Sequence, residues 1–251
     1  MLSRNALNNT IVGNEGANSL DGKGGSDVLI GGSGNDVYYV DHKSDKIHEV
    51  FKGGNDAIIA SSYWVAKSAH VEVLKFAGGV GKASHSLYGS NSSNAMTGTE
   101  GANLMKGFNG NDRIWGQSGN DVIRGGAGLD RLYGDKGRDA FVFDTKLSSA
   151  KSNKKKNFDK ISDFSAKDDT VWLENKYFKK LGKKGSEKKP AKLNKKFFTV
   201  GTEAKDKDDY LIYNKKTGKL YYDAGSGSKD AIEFAQLKKN QKMTYEDFYV
   251  I

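Results

Sequence analysis

The chain has 251 residues, one proline, no cysteine, 31 glycines, 11% aromatic residues and a mean hydropathy of -0.67. That length can hold one large domain or two ordinary ones. The cysteine count excludes a disulfide framework, the glycine content excludes an ordinary helical protein, and the aromatics exclude a featureless linker. There is no run of about 18 apolar residues and no basic-then-apolar leader at Met1, so the sequence predicts neither a membrane-spanning helix nor a cleaved export signal. The formal charge of +9 divides unevenly: residues 1–144 carry 14 Lys+Arg against 16 Asp+Glu, and residues 145–251 carry 26 against 15.

In chain order, a nine-residue beat begins at once. Asn9 and Ile11 occupy the sixth and eighth positions of a partial copy, so the chain starts inside a repeat, as a piece of something longer would. Copies follow from Gly13 (GNEGANSLD), Gly22 (GKGGSDVLI) and Gly31 (GGSGNDVYY), then a worn one from Val40 (VDHKSDKIH), with Asn18, Asp27, Asp36 and Asp45 at the sixth positions. Residues 55–88 lose the glycine beat but keep alternating apolar patches, Ala57-Ile58-Ile59 and Val71 to Phe76, which read as strands continuing the same solenoid.

A second block spans about 89–142, the first about 4–48. It opens with worn copies whose sixth positions are Asn94 and Asn103, and continues as GFNGNDRIW, GQSGNDVIR, GGAGLDRLY and GDKGRDAFV from Gly107 to Val142. Asp112, Asp121, Asp130 and Asp139 are spaced by nine, and Ile114, Ile123, Leu132 and Phe141 each follow two residues later. Past Asp144 the period stops. Short apolar segments then alternate with turn signals: 157–164, 169–173, 210–213 and 220–222, with a hairpin turn over 214–218 and a helix expected around Ile232 to Lys239.

The spacing specifies metal sites. Six residues of each nonapeptide form a half-turn and three a short strand with its middle residue inward, so two nonapeptides make one coil of a parallel roll. Residues 18 apart then lie on one edge, which sets Asp112 beside Asp130 and Asp121 beside Asp139. Like charges so placed repel unless a cation lies between them. Calcium takes six to eight oxygens, backbone carbonyls included, and glycine turns leave such carbonyls accessible. The expected ligands are Asp27, Asp36, Asp112, Asp121, Asp130 and Asp139, carbonyls at Gly107, Gly110, Gly116, Gly119, Gly125 and Gly128, and weaker neutral oxygens at Asn18 and Asn103. Several calcium ions would bind, and the calcium-free roll would be largely unfolded.

On these residues the chain resembles the repeats-in-toxin (RTX) family of secreted bacterial proteins, and its length resembles the C-terminal half of serralysin-type calcium-binding exoproteins. Further marks are the phrase GGNDAIIASSYWVAKSAHVEVLKFAG, the segment Phe141 to Asp144 leading to Ile161-Ser162-Asp163-Phe164, and the ending Glu246-Asp247-Phe248-Tyr249-Val250-Ile251. The resemblance implies an all-β protein with a parallel β-roll over 1–144 and a β-rich, lysine-rich, serralysin-like secretion domain over 145–251. It implies a C-terminal signal read by a type I ABC exporter, export unfolded, and folding outside where calcium is abundant. Two departures stand out: the pI near 9.3 is high for such proteins, and Asp223-Ala224-Gly225-Ser226-Gly227 lacks the second carboxylate of their Asp-x-Asp-Gly turn. Asp206, Asp208 and Asp209 read as a solvated acidic turn before they read as ligands.

No catalytic constellation is visible. His48-Glu49-Val50-Phe51-Lys52 has Lys where a zinc protease motif needs its second His, and there is no Gly-x-Ser-x-Gly and no phosphate-binding loop. The expectation is a non-catalytic, extracellular, monomeric calcium-binding module. The alternatives are the non-catalytic part of a serralysin-like metalloprotease and a surface adhesin. The lysines between Lys151 and Lys196 read first as a solvated face, and second as a contact for anionic polysaccharide or a host surface; no nucleic-acid motif accompanies them. Trp115 and Tyr133, at outward ninth positions, read as packing against the neighbouring coil or as a binding face.

Overall fold

A three-residue strand has too few hydrogen bonds to stand alone, so each nonapeptide needs an equivalent strand one coil away. A computed structural model shows this stacking; it describes residues 1–50, 52–61, 64–65, 70–78, 81–149, 153, 156–225 and 230–251. One parallel face runs through Leu2–Ser3, Ser19–Asp21, Val37–Val40, Ala57–Ala60, Val73–Phe76, Ala95–Thr97, Arg113–Trp115, Arg131–Tyr133 and Asp159–Ile161. The strands between them in sequence build the other face. Thr10–Val12, Val28–Ile30 and Lys46–His48 form one sheet, and the parallel run Trp64–Val65, His85–Tyr88, Asn103–Asn109, Val122–Ala127, Ala140–Phe143, Thr170–Leu173 and Phe248–Val250 belongs to another.

The register places the eighth residues in columns. Leu20, Tyr38, Ile58, Leu74, Met96, Ile114, Leu132 and Ile161 align on one face, and Leu87, Met105, Ile123, Phe141, Val171 and Phe248 on the other. All are buried to 1% exposure or less. At about 1.5–3 kcal/mol for each large apolar side chain, these columns are the main favourable term of the fold. The strands expected between the blocks are present as Ala57–Ala60 and Val73–Phe76, in frame with the repeat strands on either side. Parts of that phrase (62–63 and 66–69), with Phe51, Lys151, Lys154, Lys155, Ser226 and Gly227, lie outside the described residues.

The stacking continues past the point where the period stops. Asp159–Ile161 and Thr170–Leu173 add a rung to each face, and Phe248–Val250 extends the second. The hairpin of Leu211–Asn214 and Lys219–Tyr222 closes as expected, with the Gly218 N–H donating to the Asn214 carbonyl at 2.8 Å. The helix expected around Ile232 to Lys239 is instead the strand Ile232–Gln236, parallel to Asp159–Ile161 and antiparallel to Lys219–Tyr222. Hydrogen bonding to a strand on each side outweighs a weak local helical preference. A bulge at Leu220/Tyr221 lets both Phe234 and Ala235 turn inward, where Phe234 meets Phe143 and Phe178 edge-on. The chain end is tucked into this cap: Ile251 is buried, and its N–H donates to the Leu173 carbonyl. Among the described residues no helix is long and apolar enough to cross a membrane.

Candidate metal centre

The sixth-position acids form two ladders down the roll. On one edge the Asn94 N–H donates to Asp112 Oδ1 at 2.7 Å, Asp112 N–H to Asp130 Oδ1 at 2.8 Å, and Asp130 N–H to Asp159 Oδ1 at 3.1 Å. On the other, Asn103 N–H donates to Asp121, Asp121 N–H to Asp139 and Asp139 N–H to Asp169, at 2.7, 2.9 and 3.0 Å. In the first block Asn9 N–H donates to Asp27 and Asn18 N–H to Asp36, both at 2.7 Å. Each carboxylate thus caps the backbone one coil above it.

One oxygen per carboxylate is used this way; the other is not. Oδ2 of Asp27, Asp36, Asp112, Asp121, Asp130 and Asp139 is buried and has no hydrogen-bond partner among the described residues. An orphaned carboxylate oxygen costs a fold several kcal/mol unless a cation or proton meets it. Burial pushes Asp112 up to about 8, with the Asp130 charge adding to it, and Asp121 and Asp139 up to about 7, with Asp139 and Asp169 as the respective neighbours. Asp130 rises to about 6, also through burial.

The first-position glycines leave room at these oxygens. A Cβ on Gly107 would collide with Asp112 Oδ2 and the Gly125 carbonyl, and one on Gly116 with Asp121 Oδ2 and the Gly134 carbonyl at 2.9 Å. The same collision meets Asp130 at Gly125. Carboxylate and carbonyl oxygens therefore converge on a space that only a glycine keeps open. Gly119 and Gly128 serve differently: their φ values of 110° and 155° are left-handed, and added Cβ atoms would strike the backbones of Gly101 and Gly110. The Gly110 and Gly119 carbonyls face Gly128 and Gly137 one coil below.

Two kinds of turn build the roll, the Asn kind opening each block and the Asp kind following it. Where the sixth residue is Asp in a full repeat, the second residue is left-handed: Lys23, Gly32, Phe108, Gln117, Gly126 and Asp135. Where it is Asn, the second residue is not, and its N–H donates to the amide oxygen of that Asn: Asn14 to Asn18 at 2.7 Å, Ser90 to Asn94 at 2.8 Å and Thr99 to Asn103 at 2.6 Å. Asn18 and Asn103 were expected as weak ligands, yet their oxygens already close their own turns. The sequence carried a signal for this in Asn14, Ser90 and Thr99, which all form side-chain turns.

Asp159 and Asp169 extend the ladders but were not singled out in the sequence, because they lie 29 and 30 residues from their partners where the repeat gives 18. Their signal was the surviving Asp-x-apolar triplet at each strand start. Asp206 and Asp209 cap the turn at 205–209 through the Asp208 and Lys205 N–H groups. Trp115 and Tyr133 stack on each other with ring centroids 5.5 Å apart and planes 11° apart, so coil-to-coil packing takes both rings.

Stacked glycine turns with buried, half-satisfied carboxylates define a calcium-binding parallel β-roll. Residues 5–38, 88–122 and 106–141 match the RTX calcium-binding nonapeptide repeat, in four copies, so the chain carries RTX calcium-binding repeats in its β-roll. The match falls within the two blocks, ending at residue 38 in the first and at 141 in the second, and does not reach residues 145–251. No curated protein matches the chain.

Proposed function

We propose that this protein is the calcium-triggered folding module of a type I-secreted extracellular protein, itself non-catalytic. Asp27, Asp36, Asp112, Asp121, Asp130 and Asp139 supply the carboxylates, and carbonyls of the repeat glycines complete the shells. The observation that carries this reading is the set of buried Oδ2 atoms without partners, each set against a glycine that a side chain would close. Asn18 and Asn103 lie outside the ligand set and hold their coils without metal.

Folding hides the chain end. Phe248, Val250 and Ile251 are buried to 2% exposure or less in the last strand and cap, so an exporter that reads these residues does so on the unfolded chain. Low calcium before export and high calcium after it then order the two events. Extracellular calcium modules work at roughly 10⁻⁴–10⁻³ M, which suits that switch. Carboxypeptidase digestion tests the coupling: the end should be trimmed in chelator and protected in millimolar calcium. Equal trimming in both would remove the reading.

A further inference from the structure

The glycine beat of the first block ends at Tyr39, and what lies there differs from the other turns. The Asp36 N–H donates to Asp56 Oδ1 at 2.8 Å across 20 residues, and the Asp56 N–H donates to Glu72 Oε2 at 2.9 Å. Glu49 follows the strand Lys46–His48; its Oε2 accepts the Val50 N–H at 3.1 Å. Asp36, Glu49 and Asp56 each keep one oxygen over. Asp36 Oδ2, Glu49 Oε1 and Asp56 Oδ2 are buried, have no hydrogen-bond partner among the described residues, and belong to a group whose ligand atoms lie within 4.8 Å of one another.

A fourth oxygen points to the same place. Tyr38 is fully buried at 0% exposure, and its hydroxyl has no hydrogen-bond partner among the described residues. A Cβ on Gly31 would collide with the Tyr38 hydroxyl, Asp36 Oδ2 and Glu49 Oε1 together. Where the Gly107 cradle holds one carboxylate and a carbonyl, the Gly31 cradle holds two carboxylates and a phenol, with Asp56 beside them.

We propose that Asp36, Glu49, Asp56 and the Tyr38 hydroxyl form a calcium site built from side chains, sharing Asp36 with the nonapeptide ladder, that staples the segment after the first block onto the roll. It rests on the calcium reading of the roll. Three carboxylates in one buried group need a cation between them. Oxygens that all lie within 4.8 Å of one another fit around a calcium ion, whose oxygen shell has a radius of about 2.3–2.6 Å. The third carboxylate raises the charge of this site above that of a nonapeptide gap, and charge count raises calcium affinity. This site therefore fills first.

Equilibrium dialysis against calcium, on the whole chain and on Glu49→Gln, tests this. The substitution keeps the shape and removes one charge. The proposal expects one fewer ion bound by Glu49→Gln, with the wild-type far-ultraviolet circular dichroism reached in saturating calcium. Equal stoichiometry in the two proteins would overturn this site and leave the nonapeptide sites standing; no calcium bound by the wild type would overturn both. If Glu49→Gln fails to fold, Tyr38→Phe with terbium decides. The first equivalent of terbium should lose tyrosine-sensitised emission in that variant, and unchanged emission would overturn the site.

Discussion

The main-chain N–H of Asp121 donates to Oδ1 of Asp139, one coil below, at 2.9 Å, while Oδ2 of each residue is buried without a hydrogen-bond partner among the described residues. One carboxylate thus does two jobs: it ties coil to coil by a hydrogen bond and offers its second oxygen to a cation. The two jobs can be separated by substitution. Asp121→Asn keeps an acceptor for the Asn103 N–H and removes the charge, whereas Asp121→Ala removes both. Calcium affinity should fall by about tenfold or more, ~1.4 kcal/mol, in either variant. The alanine variant should also lose about 1–3 kcal/mol for the N–H left unpaired. Calcium titrations together with urea unfolding in saturating calcium separate these effects; equal stability of the two variants would contradict the dual role.

The same acids fix how the calcium-free roll responds to pH. Asp112, Asp121, Asp130 and Asp139 sit at about 8, 7, 6 and 7 in the fold, above their ordinary value of 3.8. A carboxyl raised by folding contributes its stability in full below the unfolded value and loses it as the pH climbs through the folded one. Chelator-treated protein should therefore gain β-structure as the pH falls from 8 to 5. Calcium displaces these protons, so its affinity should be higher at pH 8 than at pH 5.5. Circular dichroism in chelator and calcium titrations at the two pH values read both trends, and a calcium affinity indifferent to pH would count against the ladder.

Gln117 holds a φ of 80° at the second position of its repeat and is exposed. A β-branched residue resists that conformation, so Gln117→Val should destabilise the calcium-bound roll by about 1–2 kcal/mol, while Gln117→Gly should stay within about 1 kcal/mol of the wild type. Thermal melts in calcium measure the difference. Equal melting of the two variants would mean that this turn is not left-handed in solution.

Asp144 anchors the end of the repeat. Its Oδ2 lies 3.2 Å from Lys106 Nζ and 3.5 Å from Arg124, whose side chain is only 5% exposed. Asp144→Ala leaves that guanidinium with Glu187, whose Oε1 lies 2.7 Å from Arg124 Nη2, as its acidic partner and should cost about 1–3 kcal/mol. The double variant with Arg124→Met should recover most of the loss, read by the same unfolding experiment.

Most of the solenoid was legible in the sequence because its signal is local and periodic. Ile114, Ile123, Leu132 and Phe141 point inward as their positions in the repeat require, and their Asp partners stack at a spacing of 18. What could not be read depends on longer loops. Asp159 and Asp169 join the ladders only after 29- and 30-residue excursions, and Glu49 meets Asp36 and Asp56 only because the coil there is irregular. The strand at Ile232–Gln236 was missed for a similar reason: its neighbours in the sheet are Asp159–Ile161 and Lys219–Tyr222, which no local pattern announces. Asn18 and Asn103 each accept the N–H of the second residue of their own turn, a contact set by Asn14 and Thr99 and not by the repeat position.

The central claim is that cation binding by the Asp ladder folds the roll. A calcium titration of chelator-treated protein followed by far-ultraviolet circular dichroism, with magnesium as control and Asp121→Asn alongside, tests it most directly. The account predicts a cooperative coil-to-β transition with calcium, none with magnesium, and a midpoint shifted to higher calcium by the substitution. A chain fully β-structured in chelator at pH 8 and unmoved by calcium would contradict it.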